Sequence, residues 1–166
     1  PATGDSIIFH DTSASALREI TIANFGNTPA FLAYPSSGQE VANTTDTYLT
    51  FGTEVYDTHS AYDGTNKFTV PANCGGKYFI GSHWTWEFED GARYALHMRK
   101  GGSAGVAEVV VQGAESEALS AHISAIVDLG AGEYVQMRTW QDTGAAITGP
   151  TTLQSASFWG FRLTGH

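Results

Sequence analysis

Cysteine is all but missing from this 166-residue chain. Cys74 stands alone, so no intrachain disulfide can form, and cysteine usage says nothing about the compartment. Cys74 itself reads as a small buried or turn residue, not a nucleophile. Charge is scarce as well. Only 15% of residues are charged, below the usual quarter, which leaves few to solvate a large surface and implies that part of it is buried against another subunit. Cations are scarcest: 8 Lys plus Arg stand against 17 Asp plus Glu, a net charge of −9. A phosphate-backbone partner needs clustered cations, so a nucleic-acid partner is not expected. No stretch approaches the ~18 consecutive apolar residues of a membrane span, so no membrane insertion is expected either. Beginning at Pro1 with no signal-like segment, the chain reads as a fragment or a trimmed product. Catalytic signatures are also lacking. There is no P-loop, dinucleotide fingerprint or His-x-x-x-His pair. The acids are too many and too scattered to single out a general acid/base pair. The expectation is a protein that is not an enzyme.

What is present is β-forming material. Nineteen glycines and many Ser and Thr residues fit turn-rich structure, and 42% hydrophobic residues supply a real core for one domain. Residues 1 to 29 read as a connector. Asp5 to Asp11 and Ala16 to Ile22 are two short strand-like runs around turn chemistry at 11 to 15, and Asn24 to Pro29 reads as a linker. A lone hairpin is marginal, so this one needs a neighbour or a symmetry mate. From residue 30 to 166 nearly everything alternates with period 2. Tyr78, Ile80, Ser82, Trp84 and Trp86 fall on one face of a strand over 77 to 86; Phe79, Gly81, His83 and Thr85 fall on the other. Further strands are expected over 93 to 99, 107 to 112, 135 to 139 and 158 to 163, with a long loop over 141 to 155.

Residues 117 to 129 hold helix-favouring Ala, Leu and Glu, yet the spacing excludes a helix. Leu119, Ala121, Ile123, Ala125, Val127 and Leu129 recur at every second position, a strand pattern. Roughly eight to ten strands, regular turns and no helix imply a β-sandwich.

In order along the chain, several segments resemble the C1q-like family within the wider tumour-necrosis-factor-like jelly rolls. Ala30 to Ala33 is similar to its opening strand. Val55 to Asp57, Tyr62-Asp63 and Lys67 to Pro71 match its early strands, and Gly76 to Ile80 resembles its Gly-x-Tyr-x-Phe strand. Leu96 to Gly101 is similar to its Leu-x-x-x-x-Gly hairpin, Leu129 to Val135 to its Leu-x-x-Gly-Asp-x-Val turn, and Ser157 to Leu163 to its closing strand. Two features depart from the family: Trp159 stands where a small residue is usual, and no collagen-like stem precedes the domain. Instead, residues 5 to 25 resemble the short hairpin elements of phage tail-fibre proteins. The resemblance implies a ten-stranded jelly roll forming a tight homotrimer. Taken with the tail-fibre resemblance of residues 5 to 25, it implies an extracellular or virion-surface head on a phage or phage-derived fibre or spike.

Following the strands up and down divides the loops into two sets. Residues 71–76, 100–105 and 130–133 are short and glycine-rich and form a base. Residues 87–92, 113–118 and 141–155 form an apex that carries Glu87, Glu89, Asp90, Glu115, Glu117 and Asp142, with Trp86 adjoining. Such a cluster is either solvated, neutralised by cations or met by a basic partner. These seven residues are the candidate contacts to a host-surface glycan or protein, with Ca2+ at the trimer apex as the one cofactor considered. His83 and His122 lie on the second faces of their strands and are candidates for the subunit interface. Trp84, Trp86, Trp140 and Trp159 are either core or interface, or a platform for a sugar ring. Two other functions fit the same sequence: a structural trimerisation cap with no ligand, and a surface-polysaccharide hydrolase.

Overall fold

Period-2 alternation turns every second side chain to one side of a strand, and two half-apolar sheets bury those sides against each other. A computed structural model of the chain, which describes residues 6–11, 16–21, 28–87, 89–113 and 118–165, has this architecture. No helix occurs among the described residues. Part of the expected linker, together with Glu115 and Glu117, lies outside them.

The first of two five-stranded sheets runs, edge to edge, β11 (Leu119–Leu129), β8 (Gly76–Trp86), β14 (Ala156–Gly165), β3 (Ala30–Tyr34) and β6 (Thr53–Asp57). The second runs β10 (Ala104–Gln112), β9 (Arg93–Lys100), β12 (Tyr134–Gln141) and β5 (Thr47–Tyr48), with β7 (Phe68–Thr69) also paired to β12. Every pairing within them is antiparallel. Apart from the β9–β10 hairpin, neighbours in each sheet come from distant parts of the chain, so this is a jelly roll, not a meander. At the N-terminus, β1 (Ser6–Asp11) pairs with β2 (Ala16–Thr21) as the expected hairpin.

The alternation read from the sequence is the one the sheets use. Along β8 and β11, Tyr78, Ile80, Trp84, Trp86, Ala121, Ile123, Val127 and Leu129 are buried. Along β9 and β12, Tyr94, Leu96, Met98, Val135 and Met137 meet them from the second sheet. Aromatic rings fill one end of this core. Phe31 stacks on Phe68 with centroids 4.6 Å apart and on Tyr62 at 5.4 Å, and meets Phe158 edge-on at 4.8 Å. The β9–β10 turn requires glycine: Gly101 and Gly102 both have positive φ, 59° and 78°, which L side chains rarely adopt.

One element differs from expectation. Within the long loop over 141 to 155, Ile147–Thr148 forms a short strand, β13, paired with β4 (Glu40–Val41). Two residues are too few to show periodicity, and the partner is remote in sequence, so no local signal marks this strand.

Register also assigns the two ends. Gly101 N–H bonds to Tyr134 O, Gly132 N–H to Val70 O and the Lys100 ammonium to Glu133, which gathers 71–76, 100–105 and 130–133 at one end. Gly91 N–H bonds to Gly113 O, Asp142 N–H to Arg93 O and Thr85 N–H to Ser155 O, which gathers 87, 89–92, 113 and 142–155 at the other.

Candidate functional site

The acidic end is built on the ends of β8, β9, β12 and β14. Glu87, Glu89 and Asp90 are exposed in the β8–β9 connection, which turns at Gly91 (φ 76°). Asp142 is placed beside them but is occupied. It accepts the Arg93 backbone N–H at 2.6 Å and the guanidinium at 2.8 and 2.9 Å. The backbone N–H of Arg93, seconded by its side chain, holds the Asp142 carboxyl below the usual carboxylate range. Asp142 therefore clamps the start of β9 and has little left for an external partner. Trp86 must be corrected as a contact residue. Its indole is 1% exposed, packs on Tyr94 at 5.4 Å and donates Nε1–H to Thr139 Oγ1 at 3.0 Å. Even-numbered positions of β8 face the core, so Trp86 cannot offer a face to a sugar, and neither can Trp84. A hollow of about 170 Å3 between Thr85, Glu87, Ala118 and Pro150 adjoins this end, smaller than the ~300 Å3 at which small-ligand sites begin.

The outer face of the first sheet carries a large apolar surface. Phe79, Trp159 and Phe161 form one cluster with centroids 5.2 to 6.5 Å apart. Pairing sets Ile126 beside Phe79, Leu32 beside Trp159 and Tyr56 beside Leu32, so the apolar row crosses all five strands. Ile126 is 64% exposed, and Phe161 and Tyr56 are exposed as well. Trp159, the departure noted in the sequence, has room because Gly81 lies directly across from it; a Cβ there would run into the indole. Above this row His122 pairs with His83, their rings 5.9 Å apart. The His83 Nε2–H donates to Gln154 O at 3.1 Å, because a carbonyl only accepts, so Nδ1 takes the Ser157 hydroxyl proton at 2.9 Å. This Ser–His contact is a strand cross-link. Ser157 is buried, and the partner orienting the imidazole is a carbonyl, not a carboxylate.

A second polar constellation lies on the outer face of the second sheet, where the sequence had singled out only Trp140. A groove of about 410 Å3 is lined by Asp46, Arg93, His97, Glu108 and Trp140, with Ala95 and Val110 between them. Register builds it: Glu108 and Arg138 flank His97, and Val110 and Trp140 flank Ala95. His97 is nearly buried at its floor. Arg99 Nη2 lies 3.2 Å from Nδ1 and can only donate, so Nδ1 accepts and the Nε2–H points to Glu108 Oε2 at 3.3 Å. Asp46 Oδ1 stands 3.4 Å from Nδ1 and accepts a hydrogen bond from it only when the ring is charged and Nδ1 carries a proton. Burial pushes His97 below its ordinary pKa, Arg99 and Arg138 push the same way, and Glu108 and Asp46 oppose them. A lowered folded-state pKa means that the unfolded chain takes up the proton first. Stability from this group is complete above about pH 6.5 and is lost as pH falls through the folded-state value. The melting temperature is therefore expected to fall between about pH 7.5 and about pH 5, and His97→Gln should flatten that fall. A His97→Gln profile as steep as the parent's would remove His97 as the cause. Strand parity could have placed His97 outward, and the β9–β10 hairpin sets Glu108 across from it; nothing local could have brought Asp46 to them.

No family model matches this sequence, and no curated protein matches it. Solved structures are similar in fold. The globular domain of zebrafish complement 1qA protein superposes with a TM-score of 0.65 at 18% identity, covering 83% of this chain and 99% of that one. Murine APRIL at pH 5.0 gives 0.63 at 10% identity, covering 82% and 100%. Eiger TNF from S. frugiperda gives 0.57 at 11%, covering 84% and 93%. With two five-stranded antiparallel sheets and these neighbours, the chain has the C1q/tumour-necrosis-factor jelly-roll fold.

Proposed function

We propose that this chain is the head of a homotrimeric binding protein, carried at the surface of a phage or a phage-derived fibre or spike. One observation carries the trimer: the apolar row of Ile126, Phe79, Phe161, Trp159, Leu32 and Tyr56 on the outer face of the first sheet. An exposed apolar surface rimmed by polar groups marks an interaction site. The low charge content points the same way, since permanent assemblies bury large apolar interfaces. His83 and His122 sit at the rim of that face and join the interface. The β1–β2 hairpin, marginal alone, would be stabilised by its symmetry mates where a fibre shaft joins the head.

The head binds, in this reading, and does not catalyse. Glu87, Glu89 and Asp90 at the loop end are the contacts to a host-surface glycan or protein, in three copies. Weak sites on a rigid trimer gain avidity without strong single contacts. A Ca2+ ion at the apex would draw carboxylates from all three copies. Among the described residues of one chain, no three His, Cys, Asp or Glu side chains are grouped to hold a metal.

Replacing Glu89 and Asp90 by Gln and Asn tests this reading. Retention on the host surface should fall by at least roughly tenfold, the loss expected when an avid contact is removed at three sites together. The mass in solution should not change. Undiminished retention would remove the apical loops as the contact, and a host surface that never retains the parent protein would leave a structural cap.

A further inference from the structure

We propose that the groove on the outer face of the second sheet is a binding site for a neutral saccharide. The groove has the size and the chemistry. Its volume of about 410 Å3 falls within the roughly 300–1,000 Å3 of small-ligand sites and suits one or two sugar rings. A pyranose presents an apolar C–H face and a rim of hydroxyls, so it needs a flat aromatic surface beside paired acceptors and donors. Trp140 supplies the aromatic surface, with Ala95 and Val110 continuing it. Carboxylates Asp46 and Glu108 stand on either side of His97, and their side chains are 44% and 54% exposed. Each carboxylate accepts more hydrogen bonds than the imidazole between them can use, and two acceptors at fixed spacing meet the hydroxyls of a sugar. Arg93 supplies donors at the upper end.

The platform is held in place before a ligand arrives. Asp142 fixes the Arg93 guanidinium, which lies over the Trp140 ring 5.6 Å from its centroid. At the other end Tyr48 accepts a hydrogen bond from Arg138, whose guanidinium stacks over its ring at 4.2 Å and reaches Asp46 at 3.6 Å. Groups locked by their neighbours lose little freedom on binding.

Charge selects a neutral ligand. Three acids, Asp46, Glu108 and Asp142, are faced by three arginines, Arg93, Arg99 and Arg138, and burial favours the neutral form of His97. Neither a phosphate nor a bare cation meets a net field of opposite sign here. The site belongs to one chain and lies on the sheet opposite the apolar row, so it stands with or without trimerisation and apart from the apical loops.

The test is an array of immobilised neutral and acidic oligosaccharides probed with the whole chain, followed by calorimetric titration with the free sugar of each positive spot. At least one neutral glycan should bind saturably. Trp140→Ala should weaken it by roughly tenfold or more, and Glu108→Gln by several-fold with the melting temperature unchanged. The Glu89→Gln and Asp90→Asn pair should leave this affinity as it is. Three results would overturn the assignment: no neutral glycan bound, only acidic glycans bound, or affinity that survives both Trp140→Ala and Glu108→Gln. Loss of this affinity in the apical variant would also overturn it, by moving the sugar to the loops.

Discussion

Replacing Phe31 by alanine should cost about 3–5 kcal/mol of folding stability, the range for removing a buried aromatic ring. Phe31 is fully buried and central to the aromatic end of the core, in contact with Tyr62, Phe68 and Phe158. Those rings cannot collapse into the space left behind. Tyr62 is pinned by its hydroxyl to Phe51 O at 3.0 Å, and Phe68 and Phe158 are held by strand pairing on opposite sheets. β3 also joins β14 to β6, so loosening it exposes the sheet edge. For a chain of this length the loss corresponds to a melting temperature lower by roughly 6–20 °C. Phe31→Leu keeps most of the apolar volume and should cost much less. A Phe31→Ala protein that melts within a degree of the parent would mean that the cavity is refilled and that Phe31 does not anchor the aromatic cluster.

The second large effect concerns assembly. In the proposed homotrimer, Phe79→Asp with Phe161→Asp should convert a particle with the mass of three chains into a 17.7 kDa monomer. Both rings lie on the outer face of the first sheet, side by side across β8 and β14, outside the buried core. In a threefold assembly the substitution would place unpaired carboxylates within a dry interface, where each costs several kcal/mol. The fold itself should survive, since neither side chain contributes to the sandwich interior. Light scattering reads the mass and circular dichroism reads the fold. Repeating the mass measurement in chelator separates an apolar interface from one held by Ca2+: an unchanged trimer rests on the apolar row, and dissociation adds a metal at the apex. A parent protein that itself runs as a single chain would defeat the trimer and the avidity built on it.

Particular elements show how far local pattern reaches. β11 is the clearest success of periodicity over composition. Its Ala and Leu residues favour a helix, yet the six apolar positions at spacing two specify a strand, and Leu119–Leu129 is one. The same parity set His83 and His122 on the outer faces of β8 and β11, where they prove to be direct neighbours. Parity also placed Trp86 with Tyr78 and Trp84, the face that turned out to be the core, and its nearness to the acidic loop was no guide to exposure. Trp159 illustrates a compensation that no local window contains. Its room comes from Gly81, far away in sequence and adjacent only through the β8–β14 pairing.

The sequence by itself determined which of the longer segments are strands, which side of each is apolar and how the loops divide between two ends. These are properties of a few consecutive residues, because the strand repeat is two residues long and a turn is decided by the residues in it. Only the tertiary structure decided what the outward sides become. The apolar row on the first sheet needs β11, β8, β14, β3 and β6 side by side, and the groove on the second needs Asp46, His97, Glu108 and Trp140 from four separated segments. Those neighbours are chosen by long-range pairing in register, where a slip of one residue would turn every such side chain into the core.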